Sequence, residues 1–482
     1  MSVLVPQMSY ADVDCHVPRY RYIRTPLSNI SSSAVPLGPT STQVMEFRPM
    51  LNSAINLSKS FIQYSYTIPG LAGSYTLIYE DGSDLFSRIQ FGSQSGEYAV
   101  DLSSYADRYH CATRCLKTKL TDLLDQDQNT GLYPCRQDAT RNLHPHSLDG
   151  LTNGTANAGS VSHLEPQHLI IAPTPGTSLT VNRMFPLGSI KDTLFEQDKN
   201  ILLKTESVLR IYTQLLTRIG FYTTTPGTPS IAANYTAFTS SAVTLNNVYA
   251  FFAVDENAQN VALLRAAVEA GRFKMSVPFP FVYSFTVSPS NSSASNNVTL
   301  SKGFGRAIKK LIFVPFDGAA DGTAPTAYAH SNVNGACIST ISTQMDGSTL
   351  QDNPLNCYNP WSSLLPTGTP FSSYPQNIAE DYRAAASWLP YSCAGLSYPH
   401  YQSQWHYIDQ WGVNDARSKP FADETQINDG FDVYHSGNHQ YSVQGSITAT
   451  STRAATVGLL CLIIVVYNRT LMLSNEGIKM GF

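Results

Sequence analysis

The sequence predicts an all-β protein of the sandwich or jelly-roll type, and three observations lead to this fold class. The chain has 482 residues, of which 42% are hydrophobic, and this is enough for sizeable cores in two or three domains. Only 14% of the residues are charged, whereas an average soluble protein has about 25%. Tyrosine, phenylalanine, glycine and proline are abundant, and short apolar segments separated by turn residues are typical of β proteins.

The first clear strand is predicted near residue 61. Four apolar side chains alternate there with polar ones, and this period of two residues indicates a strand with one buried face. They are Ile62, Tyr64, Tyr66 and Ile68. Residues 75–79 and 85–91 predict two more strands, and Asp81-Gly82 between them favours the tight turn of a hairpin.

Several later segments are also predicted to be strands, and the last of them differs in its pattern. Strand character recurs at residues 208–216, 248–254, 279–287, 308–316 and 442–450. Pro278 and Pro280 place the strand at 279–287 at a sheet edge, because proline donates no backbone hydrogen bond. Residues 454–467 are apolar without alternation. This predicts a fully buried strand that closes the chain as a pair with residues 442–450.

Helical periodicity is limited to a few segments. Residues 104–124 carry apolar side chains at helical spacing, and residues 377–389 fit a short helix. The best helix follows Asp255, which is placed to cap it, and Gly271 is placed to end it.

Targeting signals and paired cysteines are not found in the sequence. The N-terminus lacks the early positive charge and the apolar run of a signal peptide. Residues 454–467 form the most apolar stretch, which is shorter than the roughly 20 residues of a membrane-spanning helix. The eight cysteines include no Cys-x-x-Cys pair. We therefore expect free thiols in a reducing compartment.

The charge balance argues against a nucleic-acid-binding protein. The chain has 31 basic and 35 acidic residues, for a net charge of −4, so sequence-specific nucleic-acid binding is not expected. One basic and aromatic segment lies within residues 1–40, a proline-rich stretch predicted to be an N-terminal arm: Arg19, Tyr20, Arg21, Tyr22 and Arg24. We expect this segment to dock on a neighbouring subunit, because it is too short for more than a few phosphate contacts.

Motifs for metal binding are each incomplete. Asp125, Asp127 and Asn129 have the spacing that opens a calcium loop. Thr130 and Arg136 stand where that loop needs glycine and glutamate. Soft metal ligands occur without the closely spaced pairs of a structural zinc site: His110, Cys111, Cys115, Cys135, His144 and His146.

Motifs for catalysis are also incomplete. The chain has no phosphate-binding loop of the form G-x-x-x-x-G-K-[ST]. Residues 92–96, Gly-Ser-Gln-Ser-Gly, resemble a nucleophile elbow, but the serine is one place late. We therefore predict that the protein is not an enzyme and has no catalytic, cofactor-binding or metal-binding residues.

The order of several segments is informative as a whole. The first is FRPMLNSAINLSKSFIQY at residues 47–64, and the next are FPLGSI at 185–190 and LFEQDKNILL at 194–203. Further segments lie at residues 243–254, 308–316, 345–355 and 457–467. In this order they resemble the double jelly-roll major capsid proteins of polinton-like viruses, virophages, adenoviruses and tailless phages.

The resemblance implies two tandem eight-stranded jelly rolls, with long inserted loops and a few short helices. Residues 1–40 are then the arm, residues 41–315 the first roll and residues 316–482 the second. The strand at 308–316 closes the first roll. The loops at 126–182 and 222–241 are expected to face outward, and the arm is expected to lie beneath a shell.

The same resemblance implies a function and partners. The chain is expected to be the major capsid protein of an icosahedral double-stranded DNA virus, self-assembling into pseudo-hexagonal homotrimers that tile the shell. Its expected partners are neighbouring trimers, vertex (penton) proteins and minor or cement capsid proteins. The arm is expected to contact an inner membrane or the genome. The protein is then located in the virion, after assembly in a reducing compartment of the host cell.

Two alternatives remain open at the level of the sequence. One is a carbohydrate-binding or carbohydrate-cleaving β-sandwich, since Trp361, Trp388, Trp405 and Trp411 cluster in the last third of the chain. Glu80, Asp81 and Asp84 could supply its carboxylates. The other is a minor or vertex capsid protein, although such proteins usually carry one roll, and this chain is long enough for two.

Overall fold

The structure is a computed structural model, and it describes the first half of the chain more fully than the second. The described residues are 18–79, 85–94, 96–117, 136–137, 143–144, 169–171, 176, 178–223, 236–238, 243–287, 294–300, 307–317, 338–345, 348–349, 355–356, 407–410, 431–432, 441–447 and 459–481.

The largest sheet of the first half, sheet I, is antiparallel and is centred on β4 (Ala54–Ile68). β16 (Val243–Asp255) and β11 (Leu179–Pro186) pair with β4 on its two sides. Shorter strands extend this sheet: β1 (Tyr20–Thr25), β2 (Val35–Leu37) and β12 (Asn200–Leu202).

Two smaller sheets complete the first half. Sheet II runs in the order β3 (Val44–Phe47), β13 (Ser207–Thr213), β6 (Phe86–Ser93), β7 (Tyr98–Leu102). Sheet III runs in the order β10 (Leu169–Ile171), β5 (Tyr75–Tyr79), β14 (Gly220–Thr223), β15 (Thr236–Ala237). A separate short ribbon pairs β8 (Arg136–Gln137) with β9 (Leu143–His144).

The core of the first half lies between sheets I and II. As the alternation predicts, Ile62, Tyr64 and Tyr66 are buried, while Gln63 is exposed. The Tyr64 ring meets the edge of the Phe86 ring of sheet II at 5.7 Å between centroids. Rings from facing sheets in contact at this distance are the packing of a β-sandwich.

The second half also consists of two antiparallel sheets. Sheet IV contains β17 (Phe273–Val287), β19 (Ala307–Asp317), β23 (Tyr407–Gln410), β24 (Phe431–Asp432), β26 (Leu459–Ser474) and β27 (Gly477–Gly481). Sheet V contains β18 (Ala294–Leu300), β20 (Ile338–Met345), β21 (Ser348–Thr349), β22 (Leu355–Asn356) and β25 (Tyr441–Ile447).

The described helices are short. They are α1 (Ala106–Lys117), α2 (Leu216–Ile219) and α3 (Ala258–Glu269), with 3-10 turns at Leu187–Ser189 and Leu194–Glu196. α1 confirms a helix within residues 104–124, and residues 377–389 lie outside the described part of the chain. No helix among the described residues is long and apolar enough to cross a membrane.

Helix α3 differs from its predicted start and matches its predicted end. Asn257, not Asp255, is its N-cap, and the Asn257 side chain accepts hydrogen bonds from the backbone of Gln259 and Asn260. The Asp255 side chain accepts from the backbone N–H of Asn257 and so supports the cap from two residues earlier. At the other end, Gly271 has a φ of 63°, the left-handed conformation that ends many helices.

The predicted hairpin between residues 75 and 91 is wrong. β5 pairs with β10 and β14 in sheet III, while β6 pairs with β7 and β13 in sheet II. The connecting residues 80–84, which include the predicted turn, are outside the described part. Local alternation identifies the two strands, but their partners come from distant segments that the local pattern does not specify.

The predicted N-terminal arm is wrong for the residues that the structure describes. β1 pairs along its whole length with β16, from Tyr20 opposite Asp255 to Thr25 opposite Ala250. β2 pairs with the other end of β16. The prolines at 18 and 26 bracket β1 without interrupting it, so backbone hydrogen bonding to β16 remains available to the strand. Residues 1–17 lie outside the description.

The end of the chain also differs from its prediction. β25 lies in sheet V and β26 in sheet IV, so residues 442–450 and 454–467 do not form a pair. β26 instead turns into β27 and pairs with β17 and β19. β17 ends the described order of sheet IV, which confirms the edge position that its prolines predict.

The change from first-half to second-half sheets occurs earlier than residue 315. Both β17 and β19 pair with β26, the long strand near the end of the chain. The strand at 308–316 therefore belongs to the second half and does not close the first. Helix α3 is the segment between the last strand of sheet I and the first strand of sheet IV. The order of segments in the sequence did not reveal this boundary. The partner of β17 and β19 is β26, which lies more than 140 residues later in the chain.

Candidate assembly surfaces

The two halves of the molecule share an apolar junction. β17 and β27 pack against β7, and β17 also meets the 3-10 turn at Leu194–Glu196. The contacting strands contribute buried side chains to one continuous core: Val100, Phe195, Met275, Val277, Ile478 and Met480. A junction filled by buried apolar side chains holds the two halves as one body.

Polar contacts also cross this junction. The backbone N–H of Met480 donates to Oε1 of Glu97 at 2.6 Å. Gly477, at the turn between β26 and β27, has a φ of 114°. A Cβ added there would lie 2.4 Å from Oγ1 of Thr205 in the first half. The position therefore requires glycine both for its backbone conformation and for the close approach of the first half.

Helix α3 is tied to the first half by an ion pair. Nζ of Lys204 donates to Oε1 of Glu269 at 2.7 Å. This hydrogen bond lowers the pKa of Glu269 below its ordinary value. The outward side of α3 exposes Leu263, whose side chain is 45% accessible.

The outer face of sheet I carries a partly covered aromatic patch. The Phe61 ring stacks on Phe251 at 4.9 Å and lies 5.4 Å from Tyr22. The guanidinium of Arg24 sits 3.6 Å from the centroid of the Tyr249 ring. We call these five residues the aromatic face. Tyr22 remains 50% exposed, and a flat, partly exposed apolar surface is typical of protein interfaces.

A second exposed apolar feature is the turn between β3 and β4. Met50 and Leu51 are 54% and 37% exposed at its tip. Asn52 follows with a φ of 58°, and its N–H donates to the carbonyl of Leu203 at 2.8 Å. The turn is thus held from beneath while two apolar side chains point away from the core. Such a tip is suited to contact with another surface.

A polar network fastens β1 to the rest of sheet I. The Tyr20 hydroxyl donates to Oδ1 of Asn200 at 2.9 Å and accepts from Nδ2 of Asn56 at 2.9 Å. Nδ2 of Asn56 also donates to Oδ1 of Asp198, at 2.8 Å, and Nδ2 of Asn200 donates to Oδ2 of Asp255, at 2.8 Å. Asn56 is fully buried, so its amide depends on these partners for its hydrogen bonds.

Two pKa values in this network are shifted. Burial raises the pKa of Tyr20 above its ordinary value. Burial also acts to raise the pKa of Asp198, but hydrogen bonds from Lys59 and Asn56 outweigh it and hold that pKa below its ordinary value. Lys59 and Asp198 are paired at 3.0 Å.

Sheet III lies where the long insertions enter and leave the fold. The predicted loop at 126–182 contains β10 and ends within β11 of sheet I, and the predicted loop at 222–241 contains the end of β14 and all of β15. β10, β14 and β15 belong to sheet III. The structure thus brings parts of both predicted loops together in one sheet, while most of their residues are outside its description.

The basic and aromatic segment docks on its own chain. Nε of Arg21 pairs with Glu256 at 3.0 Å, and the N–H of Arg19 donates to Asp255 at 3.0 Å. Together with Tyr20 in the polar network and Arg24 on Tyr249, these contacts make the segment a strand of sheet I and not a free arm. Its docking on a neighbouring subunit stays a prediction, to which the half-exposed Tyr22 ring is suited.

The remaining candidates from the sequence do not form a described site. His110 is fully buried, with Nε2 3.0 Å from the Ser189 hydroxyl and its ring against Phe185. Cys461 is buried within β26. Within the described ranges, no three His, Cys, Asp or Glu side chains group as metal ligands. Outside those ranges lie the calcium-like segment at 125–130, the carboxylates at 80–84 and the four tryptophans.

Gly92 has a structural role that the resemblance to a nucleophile elbow did not predict. A Cβ at this position would lie 2.2 Å from the carbonyl oxygen of Glu97. The glycine therefore permits the close backbone approach where β6 turns into β7. Ser95, the serine of the motif, is outside the described residues.

Comparison with known proteins gives no match to a family model or to a curated protein. Solved structures match over nearly the whole chain. The structure of the Sputnik virophage matches with a TM-score of 0.53 and 12% identity, over 96% of this chain and 88% of that chain. PBCV-1 VP54, fitted into a reconstruction of Sputnik, matches with a TM-score of 0.51 and 11% identity, over 98% and 99%. The fold is a double jelly roll.

The major capsid protein of Faustovirus gives a similar result. Its TM-score is 0.51 at 10% identity, over 95% of this chain and 91% of that chain. We refer to sheets I to III, which the first half of the chain builds, as the first roll, and to sheets IV and V as the second roll. The resemblance seen in the order of sequence segments is confirmed for the fold.

Sequence reasoning missed the features that shape the surface of the double jelly roll. β1 and its polar network lie in the stretch predicted to be an arm, and β27 was not predicted at all. The signals were present but short. Tyr20, Tyr22 and Arg24 alternate with Arg21 and Ile23, and the last residues of the chain contain Gly477, which suits a tight turn.

Proposed function

We propose that this chain is the major capsid protein of an icosahedral double-stranded DNA virus. The observation that carries the proposal is the end-to-end match. At least 95% of this chain aligns with solved structures that include the Faustovirus major capsid protein. A match across both rolls and their junction is more specific than a match to one sandwich, because single sandwiches serve many unrelated functions.

The rigid junction supports assembly into homotrimers. Two similar rolls fixed side by side give each subunit two similar outer wedges. Three subunits around a three-fold axis then present six wedges, and this pseudo-hexagonal outline can tile a shell. Closed cyclic symmetry is the usual form of homo-oligomers.

The exposed apolar features support contact between copies. The aromatic face and the Met50–Leu51 tip lie on the surface of a chain in which only 14% of residues are charged. Interface cores are depleted in charge and enriched in aromatic residues and methionine. We assign the aromatic face to contacts within or between trimers, and we place vertex and minor capsid proteins among the further partners.

The orientation in a shell follows from sheet III. Parts of the loops at 126–182 and 222–241 share sheet III, and this supports placing both loops together on the outer surface of the virion. We assign contact with an inner membrane or the genome to residues 1–17, because β1 is a strand of the first roll. The two sets of sheets disfavour a single-roll vertex protein. A non-enzymatic shell role requires no catalytic group.

Size measurement and electron microscopy test the proposal. Light scattering coupled to gel filtration should give a species of three times the chain mass of 52.8 kDa, and micrographs should show six-sided particles or shells. Tyr22→Glu, which places a charge on the aromatic face, should reduce the trimer at least about tenfold, as expected for a desolvated interface charge. A monomer that binds glycans would contradict the proposal.

A matched control separates interface loss from surface charge. Leu263→Glu adds the same charge at a similarly exposed apolar side chain on α3. It should leave the trimer unchanged. If both variants dissociate equally, the aromatic face has no special role in assembly.

A further inference from the structure

A polar cavity of about 360 Å³ lies at one end of sheet II. The starts of β3 and β6 and the end of β13 meet there with the beginnings of α1 and α2. Its mouth is formed by the exposed residues Thr42, Ser103 and Ser104. The residues that line the cavity include none of the aromatic face.

Two arginines, Arg88 and Arg218, line this cavity. The Nε atoms of Arg88 and Arg218 are buried and have no hydrogen-bond partner in the described part of the protein. Neither arginine is in an ion pair with a described carboxylate. The Arg88 guanidinium lies 5.0 Å from the centroid of the Tyr212 ring, and this packing orients the group. A buried donor without a partner is costly unless a ligand or water satisfies it.

The charge in the cavity is unbalanced. Asp107 is the one carboxylate among the described lining residues, and it already accepts a hydrogen bond from Nε2 of Gln214 at 3.2 Å. Two guanidinium groups thus face one carboxylate that has another partner. The hydroxyl groups of Ser103, Ser104 and Tyr212 add donors from a second direction. Donors that converge from several elements suit an anion with several oxygens.

We propose that this cavity binds a phosphate group, with Arg88 and Arg218 as its principal ligands. A tetrahedral dianion can accept from both guanidinium groups and from the serine hydroxyls at the same time. The volume admits inorganic phosphate and also a small phosphate monoester.

Titration calorimetry on the full-length protein tests the site. Inorganic phosphate and glycerol phosphate are titrated separately against sodium chloride of equal ionic strength. Saturable binding of inorganic phosphate alone indicates a site for the free ion, and binding of both indicates one that accepts a phosphate ester. Arg88→Gln with Arg218→Gln should weaken binding at least about tenfold, since charge-assisted hydrogen bonds are lost.

Control variants keep the test decisive. Arg272→Gln removes the same charge from an exposed arginine outside the cavity and should leave phosphate affinity unchanged. If the double variant fails to fold, Arg218→Gln alone and Ser104→Asp, which adds a negative charge at the mouth, should each weaken binding. Equal heats from phosphate and chloride would overturn the proposal. The proposal would also be contradicted if all these variants bound phosphate with the affinity of the wild type. Binding of a glutamate-rich peptide without binding of phosphate would contradict it as well.

Discussion

The central strands of the two rolls, β4 and β26, bury their side chains in different ways. In β4, Ile62, Tyr64 and Tyr66 are buried, while Gln63 is exposed between them. In β26, residues 460–467 are buried without exception, so both faces of the strand are covered. The same type of fold therefore uses a strand with one outer face in the first roll and a fully enclosed strand in the second.

This difference indicates which roll offers an open sheet surface. Sheet I has an outer face on which Tyr22, Phe61 and Phe251 are only partly covered. In sheet IV, β26 itself is enclosed, and partly covered aromatic side chains occur only on its neighbour β17 among the strands whose burial is described, including Phe281, Tyr283 and Phe285. Contacts with other copies through the central part of a sheet are thus expected from the first roll.

Alanine substitutions in the two central strands test this contrast with the largest expected effect. Ile463→Ala and Ile464→Ala, adjacent and both 0% exposed, should each lower the free energy of unfolding by about 2–5 kcal/mol. In β4, Ile62→Ala should be equally destabilising, whereas Gln63→Ala should change stability by no more than about 0.5 kcal/mol. Urea unfolding of the four variants measures this. A tolerated substitution at either isoleucine would show that one face of β26 is open.

The two rolls are held as one body where Gly477 lies against Thr205. The Gly477→Ala substitution tests the importance of this contact. The substitution adds a Cβ 2.4 Å from Thr205 Oγ1 at a φ of 114°, and overpacking of this kind costs about 1–3 kcal/mol. Gly96→Ala is the matched control, because its φ is 100° and nothing lies within 4 Å. Thermal unfolding should show a larger loss for Gly477→Ala, and Thr205→Ala should restore part of it. Equal losses would mean that the close approach to the first roll is unimportant.

Tyr20→Phe tests how the open sheet is closed at its N-terminal edge. The hydroxyl bridges Asn200 and Asn56. Its removal takes away the donor to Oδ1 of Asn200 and one of the two acceptors of Nδ2 of Asn56, which should cost about 1–3 kcal/mol. Tyr22→Phe is the control, since Tyr22 is half exposed and should change stability by less than about 0.5 kcal/mol. Amide hydrogen exchange should rise along β1 in the first variant only. Uniform exchange in both would show that the network does not hold β1.

The smallest effect is expected for the pH dependence of the stability that Asp198 contributes at the same edge of sheet I. The pKa of Asp198 is lowered in the folded protein, so its contribution is present above the unfolded pKa and is lost as the pH falls through the folded value. The stability difference between wild type and Asp198→Asn should therefore be largest near neutral pH and shrink below about pH 4. Its size should stay under about 1 kcal/mol, because the pair with Lys59 is largely exposed. A difference that is constant down to pH 2 would contradict the assignment.

Strands with a strong local pattern could be predicted from the sequence. The alternation around Ile62 gave the correct strand and the burial of its apolar side chains, although Ser65 on the opposite face is buried as well. The apolar run at 454–467 gave a strand over its described residues, 459–467, and residues 460–467 are buried as predicted. Weak patterns failed. Residues 20–25 are half-exposed, charged and flanked by prolines, and they become a strand because β16 supplies hydrogen bonds along their length.

The candidate surfaces could be predicted less well than the core. The absence of a catalytic motif and the low charge pointed to a structural role, but no pattern indicated that Tyr22 packs on Phe61 or that Arg88 and Arg218 share a cavity. These residues are separated by 39 and 130 positions respectively, and only folding brings them together.

By itself, the sequence determined that the chain is built of β-strands, which strands have one or two buried faces, and that the segments follow the order of a double jelly roll. The tertiary structure decided which strands pair, where the first roll ends, and that residues 20–25 complete sheet I. The physical reason is that alternation depends on neighbours along the chain, whereas pairing depends on backbone hydrogen bonds between segments that can lie more than 200 residues apart.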